Sequence, residues 1–92
     1  MPHTTRITQV GKRAFGSALA RITHVGGWGW LRPQREVIEE IEAGSLRCYV
    51  RVGGDDVWVV VATMHGRKYL KAECDGEEPD ALLGLAEVAL EA

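Results

Sequence analysis

Cysteine is scarce in this chain of 92 residues, and its two cysteines, Cys48 and Cys74, show neither a paired spacing nor a metal-binding one. The fold therefore does not rest on a disulfide framework, and free thiols are typical of a reducing compartment. Long hydrophobic runs are also missing, since the longest, from Val57 to Met64, is too short to cross a bilayer. The N-terminus lacks the apolar core of a signal peptide. We therefore predict a cytoplasmic protein without a membrane partner.

Acidic residues are absent from the first 35 positions, which carry six basic residues, whereas the rest of the chain carries thirteen acidic and five basic ones. A basic arm for an anionic partner and complementary charges within one compact fold both account for this division. At 92 residues, 46% of them hydrophobic, the chain is long enough for one small domain and too short for a deep active site. We assign residues 1–92 to a single domain.

Catalytic and metal-binding motifs are missing as well. The sequence has no phosphate-binding loop, nucleophile elbow or zinc-protease helix, and its serines and histidines stand in no catalytic context. His24, Cys48, His65 and Cys74 are scattered singly, and the acidic run at 73–80 lacks the spacing of a calcium-binding loop. We therefore expect no enzymatic activity, no cofactor and no metal.

Two near-identical segments predict N-terminal strands, RITQVG at residues 6–11 and RITHVG at residues 21–26. Both are rich in β-branched residues and end in glycine, and the intervening GKRAFGSALA is expected to form an irregular connection or a hairpin loop. A helix is predicted at about 33–43. Pro33 suits a first turn, apolar residues recur at helical spacing, and Gly44 offers a C-terminal cap.

Alternation of apolar and polar residues predicts three further strands, at residues 46–52, 57–64 and 67–73. GGDD at 53–56 is expected to form a four-residue hairpin loop, and His65-Gly66 a two-residue one. The first turn then pairs Val52 with Val57, Arg51 with Trp58 and Tyr49 with Val60. The second turn pairs Met64 with Arg67, Ala62 with Tyr69 and Val60 with Lys71.

One face of this meander is apolar and is assigned to the core, with Leu46, Cys48, Val50, Val52, Val57, Val59, Val61, Thr63, Leu70 and Ala72. Lys68 is the exception at an edge. A C-terminal helix after Pro79 should help to cover this apolar face, through Leu82, Leu83, Leu85, Ala86, Ala89 and Leu90. The predicted class is α+β: an antiparallel β-sheet, made of the three-stranded meander 46–73 and one or two N-terminal strands, with a helix at about 33–43 and a C-terminal helix.

The opposite face of the meander carries four positive charges, three aromatic rings and no acid. Its members are Arg47, Tyr49, Arg51, Trp58, Val60, Ala62, Met64, Arg67, Tyr69 and Lys71. This face is the candidate binding surface. Trp28 and Trp30, in the glycine-rich GGWGW, are candidate accessory contacts on a mobile clamp.

Several hypotheses fit this face. An apolar centre of Val60, Ala62 and Met64 inside a charged and aromatic rim is typical of a protein–protein or self-association surface, which we rank first. Rings that stack on bases while Arg and Lys hold phosphates make single-stranded nucleic-acid binding the second hypothesis. The third is a face covered by the chain itself, for example by the N-terminal strands. Separately, acidic helix faces could imitate a nucleic-acid backbone in a phage-type inhibitor, through Glu36, Glu39, Glu40, Glu42, Glu87 and Glu91.

A set of short motifs follows in a fixed order between residues 22 and 85: Ile22-Thr23-His24-Val25-Gly26, a glutamate-rich helix ending at Gly44, Gly66-x-Lys68-Tyr69-Leu70, Asp75-Gly76 and Leu82-Leu83-x-Leu85. Over residues 20–86 this pattern resembles a family of small bacterial proteins known as domain of unknown function number 3892. The resemblance implies a compact domain and no particular activity.

The sequence departs from that family pattern in three places. The pattern usually has a threonine after the Tyr-Leu-basic run, a pair of asparagines before the leucines and a proline after the Leu-x-Leu run. This chain has Ala72, Asp80-Ala81 and Ala86 there. If those polar residues form a site in the family, the site is altered in this protein; if they only shape a turn, little changes.

Overall fold

The computed structural model describes residues 2–13 and 21–88, which form two four-stranded sheets and two helices around one cluster of buried apolar side chains. The strands are β1 His3–Arg6, β2 Gln9–Lys12, β3 Ile22–Gly27, β4 Trp30–Pro33, β5 Leu46–Val52, β6 Asp55–Met64, β7 Arg67–Ala72 and β8 Ala86–Glu87. The helices are α1 Gln34–Glu42 and α2 Asp80–Leu83. The predicted α+β class is confirmed.

Both sheets are mixed, so the prediction of an antiparallel sheet is wrong. The first sheet has the order β1-β5-β6-β7 and the second β4-β3-β2-β8. β1 runs parallel to β5, and β2 runs parallel to β8. Two parallel strands are joined by a long crossover connection rather than by a tight turn, so the sequence contains no turn motif that predicts their pairing.

The N-terminal segment crosses from the first sheet to the second at Ile7 and Thr8. The Ile7 amide donates to the Tyr49 carbonyl oxygen, and the Thr8 amide donates to the Gly26 carbonyl oxygen, each at 2.9 Å. RITQVG is therefore divided between β1 and β2, which corrects the single strand predicted there. RITHVG forms β3 as predicted, and residues 14–20 of the predicted connection lie outside the described residues.

Helix α1 confirms the predicted helix and its glycine cap. Gly44 has φ of 80°, its amide donates to the Ile41 carbonyl, and the Ser45 amide donates to the Glu40 carbonyl. This is a Schellman motif, which satisfies carbonyls that the helix end leaves unpaired. Val37 and Ile38 are buried, so the helix packs its apolar side on the core.

The first hairpin of the meander is tighter than predicted. Only Gly53 and Gly54 form the turn, both with positive φ, as a two-residue turn of type I′ requires. Val52 therefore lies opposite Asp55, and Tyr49 opposite Trp58. The error is two residues along β6, so every side chain keeps its predicted face. The predicted register across His65-Gly66 is confirmed.

Most of the predicted apolar face of the meander lies in the core, with Leu46, Cys48, Val50, Val59, Leu70 and Ala72 buried and Val52, Val57 and Val61 partly buried. Thr63 is exposed, contrary to the prediction, because it lies near the end of β6 opposite the exposed Lys68. The predicted C-terminal helix is wrong in extent. α2 has four residues, and the chain then gains sheet hydrogen bonds instead, since the Val88 amide donates to the Val10 carbonyl oxygen at 2.8 Å. Leu82 is fully buried, while Ala89 and Leu90 lie outside the described residues.

Both cysteines are free, with Cys48 buried and Cys74 exposed. Burial, assisted by the charge of Glu40 and opposed by Arg32, raises the pKa of the Cys48 thiol to about 11. We expect Cys74 alone to react rapidly with a thiol-specific disulfide reagent, and Cys48 to react only on unfolding, because the thiolate is the nucleophile. Rapid reaction of both thiols in the native protein would contradict the burial of Cys48.

The raised pKa of Cys48 also makes stability depend on pH. In the unfolded chain the thiol ionises near its ordinary value of 9.0, so the folded state is favoured fully below that pH and loses stability as the pH rises towards 11. The expected loss is about 2 kcal/mol by pH 11. Urea unfolding of the wild type and Cys48→Ala across this range measures it. Parallel pH profiles for the two proteins would show that Cys48 contributes nothing.

Candidate binding site

The side of the first sheet that points away from the core, here called the outer face, carries all ten residues of the predicted surface. β1 extends this face at the β5 edge, with Thr4 beside Arg47 and Arg6 beside Tyr49. Sequence analysis missed Arg6, because its partner in the parallel strand pair, Tyr49, is distant in the chain. The N-terminal strand β1 widens the outer face and does not lie across it.

Three side chains form a compact cluster on the outer face, named here the Trp58 cluster: Arg47, Tyr49 and Trp58. The Arg47 guanidinium carbon lies 3.7 Å from the centroid of the Trp58 ring. The Tyr49 and Trp58 centroids are 6.3 Å apart at an interplanar angle of 85°, an edge-to-face contact. Tyr49 lies directly opposite Trp58 in the ladder, which places the two rings side by side. Trp58 remains 36% exposed.

An acid joins the outer face, contrary to the prediction. Asp56 lies opposite Arg51, and the Arg51 Nε and Nη2 atoms donate to Asp56 Oδ1 at 3.2 and 3.1 Å. The assignment of Asp56 to a loop hid this pair, and a two-residue glycine turn was the signal that could have revealed it. Arg51 is therefore partly neutralised within the chain.

The β7 end of the outer face is engaged by residues 73–79, named here the acidic loop. Tyr69 is only 3% exposed, and its hydroxyl donates to the Glu77 carbonyl oxygen at 2.7 Å. Lys71 Nζ donates to the carbonyl oxygens of Asp75 and Gly76, at 3.2 and 3.0 Å. Two of the ten candidate residues thus hold a loop, and Tyr69 offers no exposed ring for stacking.

Asp75 fixes the acidic loop from within. Its carboxylate accepts hydrogen bonds from the Ala72 amide at 3.1 Å and from the Ala81 amide at 3.2 Å. These bonds tie the end of β7 to the start of α2, so the loop has a defined path. The Asp75-Gly76 motif therefore has a structural function here.

Replacing Tyr69 by phenylalanine removes one hydrogen bond to the acidic loop and keeps the ring. We expect the free energy of unfolding to fall by about 1 kcal/mol, measured by urea denaturation. Tyr49→Phe is the matched control, because the Tyr49 hydroxyl makes no hydrogen bond among the described residues, and it should change stability much less. Equal effects of the two substitutions would show that the Glu77 contact does not hold the loop.

The apolar centre of the outer face is present but shallow. Val60, Ala62 and Met64 are half-buried along β6, and Arg67 is exposed at the end of the same face. Trp58 lies on the same strand as this apolar row, and Arg47 and Tyr49 lie on the neighbouring strand β5. Together they form a continuous surface of rings, methyl groups and guanidinium groups.

The two accessory tryptophans lie in different environments. Trp28 is 95% exposed at the tip of the β3–β4 hairpin, where Gly29 has φ of 76°. Trp30 is partly buried and packs against the core. A Cβ on Gly27 would lie 2.4 Å from the Arg6 carbonyl oxygen, so the hairpin touches the end of β1. Of the two accessory candidates, Trp28 thus offers an exposed ring at the hairpin tip, whereas Trp30 packs against the core.

The glutamates of α1 are largely paired within the chain. Glu36 and Glu40 both pair with Arg32, and Glu42 pairs with Lys68 at 2.9 Å. Glu39 and Glu87 are exposed, and Glu91 lies outside the described residues. Nothing in this arrangement favours imitation of a nucleic-acid backbone, which stays a prediction.

Metal-binding residues do not converge in the part of the chain that the structure describes, where no three His, Cys, Asp or Glu side chains are placed to hold an ion. Within the same ranges, no helix has the length and apolar character needed to span a bilayer. The scattered His24, His65 and Cys74 form no site, and Cys48 is a core residue.

The fold and the outer face define a small α+β protein with two mixed sheets and an exposed cluster of aromatic and arginine side chains. The chain belongs to the family DUF3892, described as a protein of unknown function, whose model matches residues 6–86. The resemblance seen in the sequence is confirmed, and the match extends further towards the N-terminus than residue 20. Neither the curated proteins nor the solved structures contain a match to this chain.

Proposed function

We propose that this protein is a non-enzymatic binding module that contacts another protein through the outer face, centred on the Trp58 cluster. The observation that carries the proposal is an arginine stacked on an exposed tryptophan, with a tyrosine ring in perpendicular contact with the same tryptophan. Tryptophan, tyrosine and arginine dominate the energies of protein interfaces. Here all three lie on a hydrogen-bonded sheet beside an apolar row.

Preorganisation supports the same proposal. Arg47 and Tyr49 hold the Trp58 ring from two sides, and all three project from paired strands. Binding to such a surface orders few side chains, so less of the contact energy is lost to entropy. The proposal includes a reducing, cytoplasmic setting, which the two free thiols support.

The charge of the outer face indicates what a partner presents. Arg6, Arg47 and Arg67 make no ion pair with any described residue, and Asp56 is engaged by Arg51. A partner with carboxylates around an apolar side chain would match these arginines and the Val60–Met64 row. A second copy using the same face would bring like charges together. Self-association is therefore better served by a different, acidic surface of the second copy, such as the acidic loop.

Peptides selected from a random displayed library test the proposal. We expect the selected sequences to combine Asp or Glu with aromatic or aliphatic residues, and Trp58→Ala to weaken their binding about thirtyfold or more. Leu31→Ala is the control, because Leu31 is also an exposed apolar side chain, at 39%, but lies on the second sheet. Sedimentation velocity of the protein alone, for the wild type and for Trp58→Ala, shows whether the partner is a second copy: self-association through the outer face would give a dimer that the variant loses. Equal losses in the two variants would reject the outer face as the contact surface.

Single-stranded nucleic acid is the second candidate ligand of this face. It is favoured by the exposed Trp58 ring, by Arg47 over that ring and by the additional Arg6 beside Tyr49. It is weakened by Tyr69, whose ring is buried, and by the guanidinium that already covers the Trp58 ring. Tryptophan fluorescence during titration with mixed-sequence RNA or DNA at two salt concentrations distinguishes the two functions. Quenching that falls with salt and is absent in Trp58→Ala would favour nucleic acid.

A further inference from the structure

A second charged surface lies apart from the Trp58 cluster, in a groove of about 350 Å³ where β2 ends and β3, α1 and β7 begin. Four basic side chains line it, Arg13, Arg35, Lys68 and Arg67, together with the polar Thr23 and Gln34. Arg67 belongs to both surfaces, since it also ends the outer face opposite Met64. These residues come from distant parts of the sequence. The fold therefore concentrates positive charge in a protein whose net charge is −2.

The fold leaves most of this charge unneutralised. Arg13, Arg35 and Arg67 make no ion pair among the described residues, and Lys68 pairs with Glu42 at 2.9 Å in an exposed contact. Glu39 and Glu42 line an adjoining groove that shares Gln34, Arg35 and Lys68 with this one, and they do not line the groove itself. The segment 14–20, next to Arg13 in sequence, contains no acidic residue that could compensate. Converging like charges repel one another, so this arrangement costs the fold energy that an anionic ligand would recover.

We propose that this groove binds a ligand with adjacent phosphate groups, a diphosphate or consecutive phosphodiesters. Guanidinium groups match phosphate oxygens in paired hydrogen bonds, and lysine adds a mobile charge. The three arginines without an ion pair among the described residues already exceed what a single phosphate dianion neutralises, which favours two neighbouring phosphates. The Gln34 side chain is held in place at one side of the groove, because its Oε1 accepts from the Leu70 amide and its Nε2 donates to the Ile22 carbonyl oxygen.

Calorimetric titration of the full chain with inorganic pyrophosphate, and separately with a single-stranded oligothymidylate, tests the groove at low ionic strength. We expect the double variant Arg13→Glu/Arg35→Glu to weaken binding about tenfold or more. Glu42→Gln, which frees Lys68, should strengthen it several-fold. Arg51→Glu, a charge reversal on the outer face, is the matched control, and Trp58→Ala should leave binding unchanged. These two outer-face variants distinguish phosphate binding in the groove from the proposed protein binding on the outer face.

The outcomes distinguish the source of the phosphate as well. Pyrophosphate binding that the double variant loses, without oligonucleotide binding, supports a small diphosphate ligand. Oligonucleotide binding that the double variant loses and pyrophosphate displaces supports a phosphodiester. Equal affinities of the wild type and the double variant for both probes would overturn the proposal, and so would oligonucleotide binding that depends on Trp58 but not on Arg35.

Discussion

Leu82→Ala is expected to lower the free energy of unfolding by about 3–5 kcal/mol. Leu82 is fully buried and joins the core that both sheets share. α2 has only four residues, too few for a helix to persist on its own hydrogen bonds. Packing of Leu82 therefore fixes α2 on the core, while hydrogen bonds hold the acidic loop that precedes it. For a domain of this size the loss is a large part of the total stability.

Urea denaturation followed by tryptophan fluorescence measures this effect. Leu31→Ala is the matched control, since it removes the same atoms from a side chain that is 39% exposed, and it should cost less than about 1 kcal/mol. Similar losses in the two variants would mean that the C-terminal segment does not pack into the core in this way.

Gln34→Leu is expected to destabilise the protein by about 2–3 kcal/mol, because one side chain connects the two sheets. Gln34 Oε1 accepts from the Leu70 amide of β7 at 2.8 Å, and Nε2 donates to the Ile22 carbonyl oxygen of β3 at 3.0 Å. Leucine has nearly the same volume but leaves both backbone groups without a partner. β7 is an edge strand, so the unpaired Leu70 amide would also be available for pairing with a strand of another molecule.

Hydrogen exchange at the Leu70 amide, measured together with the free energy of unfolding, shows whether the lost hydrogen bond to Gln34 causes the destabilisation. In Gln34→Leu this amide should exchange faster than in the wild type even after correction for global stability. Gln9→Leu is the control, since Gln9 makes only a long contact of 3.5 Å to the Gly27 carbonyl oxygen. An unchanged Leu70 exchange rate in Gln34→Leu would contradict the bridge.

Features that depend on neighbouring residues could be predicted from the sequence. The alternation in 46–52 and 67–73 placed each side chain on its face, and His65-Gly66 set the register of the second hairpin. Helix α1 followed from apolar spacing and from Gly44, whose positive φ closes the Schellman motif. Even the misjudged first turn left the faces intact, because an error of two residues preserves the alternation of a strand.

Features that depend on distant contacts could not be predicted in the same way. The parallel pairing of β1 with β5 and of β2 with β8 has no turn to signal it. The N-terminal segment crosses between the sheets at Ile7 because its amides pair with distant strands. Its own sequence does not determine this, since RITQVG and RITHVG have almost the same pattern, yet the first is divided between two strands and the second lies in one. The helical spacing of the last leucines was overridden by pairing with β2.

The candidate site shows the same division. The presence of Arg47, Tyr49 and Trp58 on one face follows from alternation, but their mutual contact required the correct register. Tyr69 shares that face in the sequence pattern, yet the acidic loop covers it, because the Asp75 carboxylate accepts from the Ala72 amide and the Glu77 carbonyl oxygen accepts from the Tyr69 hydroxyl. A loop with no periodicity carries no sequence signal for where it packs.

The central claim is that the Trp58 cluster is the contact surface for a protein partner, and the indole N–H resonances of the three tryptophans test it directly. In a ¹⁵N-correlated NMR titration with a selected acidic peptide, the account predicts a large shift at Trp58 and at the amides of Arg47 and Tyr49, with Trp30 unmoved. A shift at Trp28 as well would place the β3–β4 hairpin within the same surface. Binding that leaves the Trp58 indole unchanged while it shifts other residues would contradict the account.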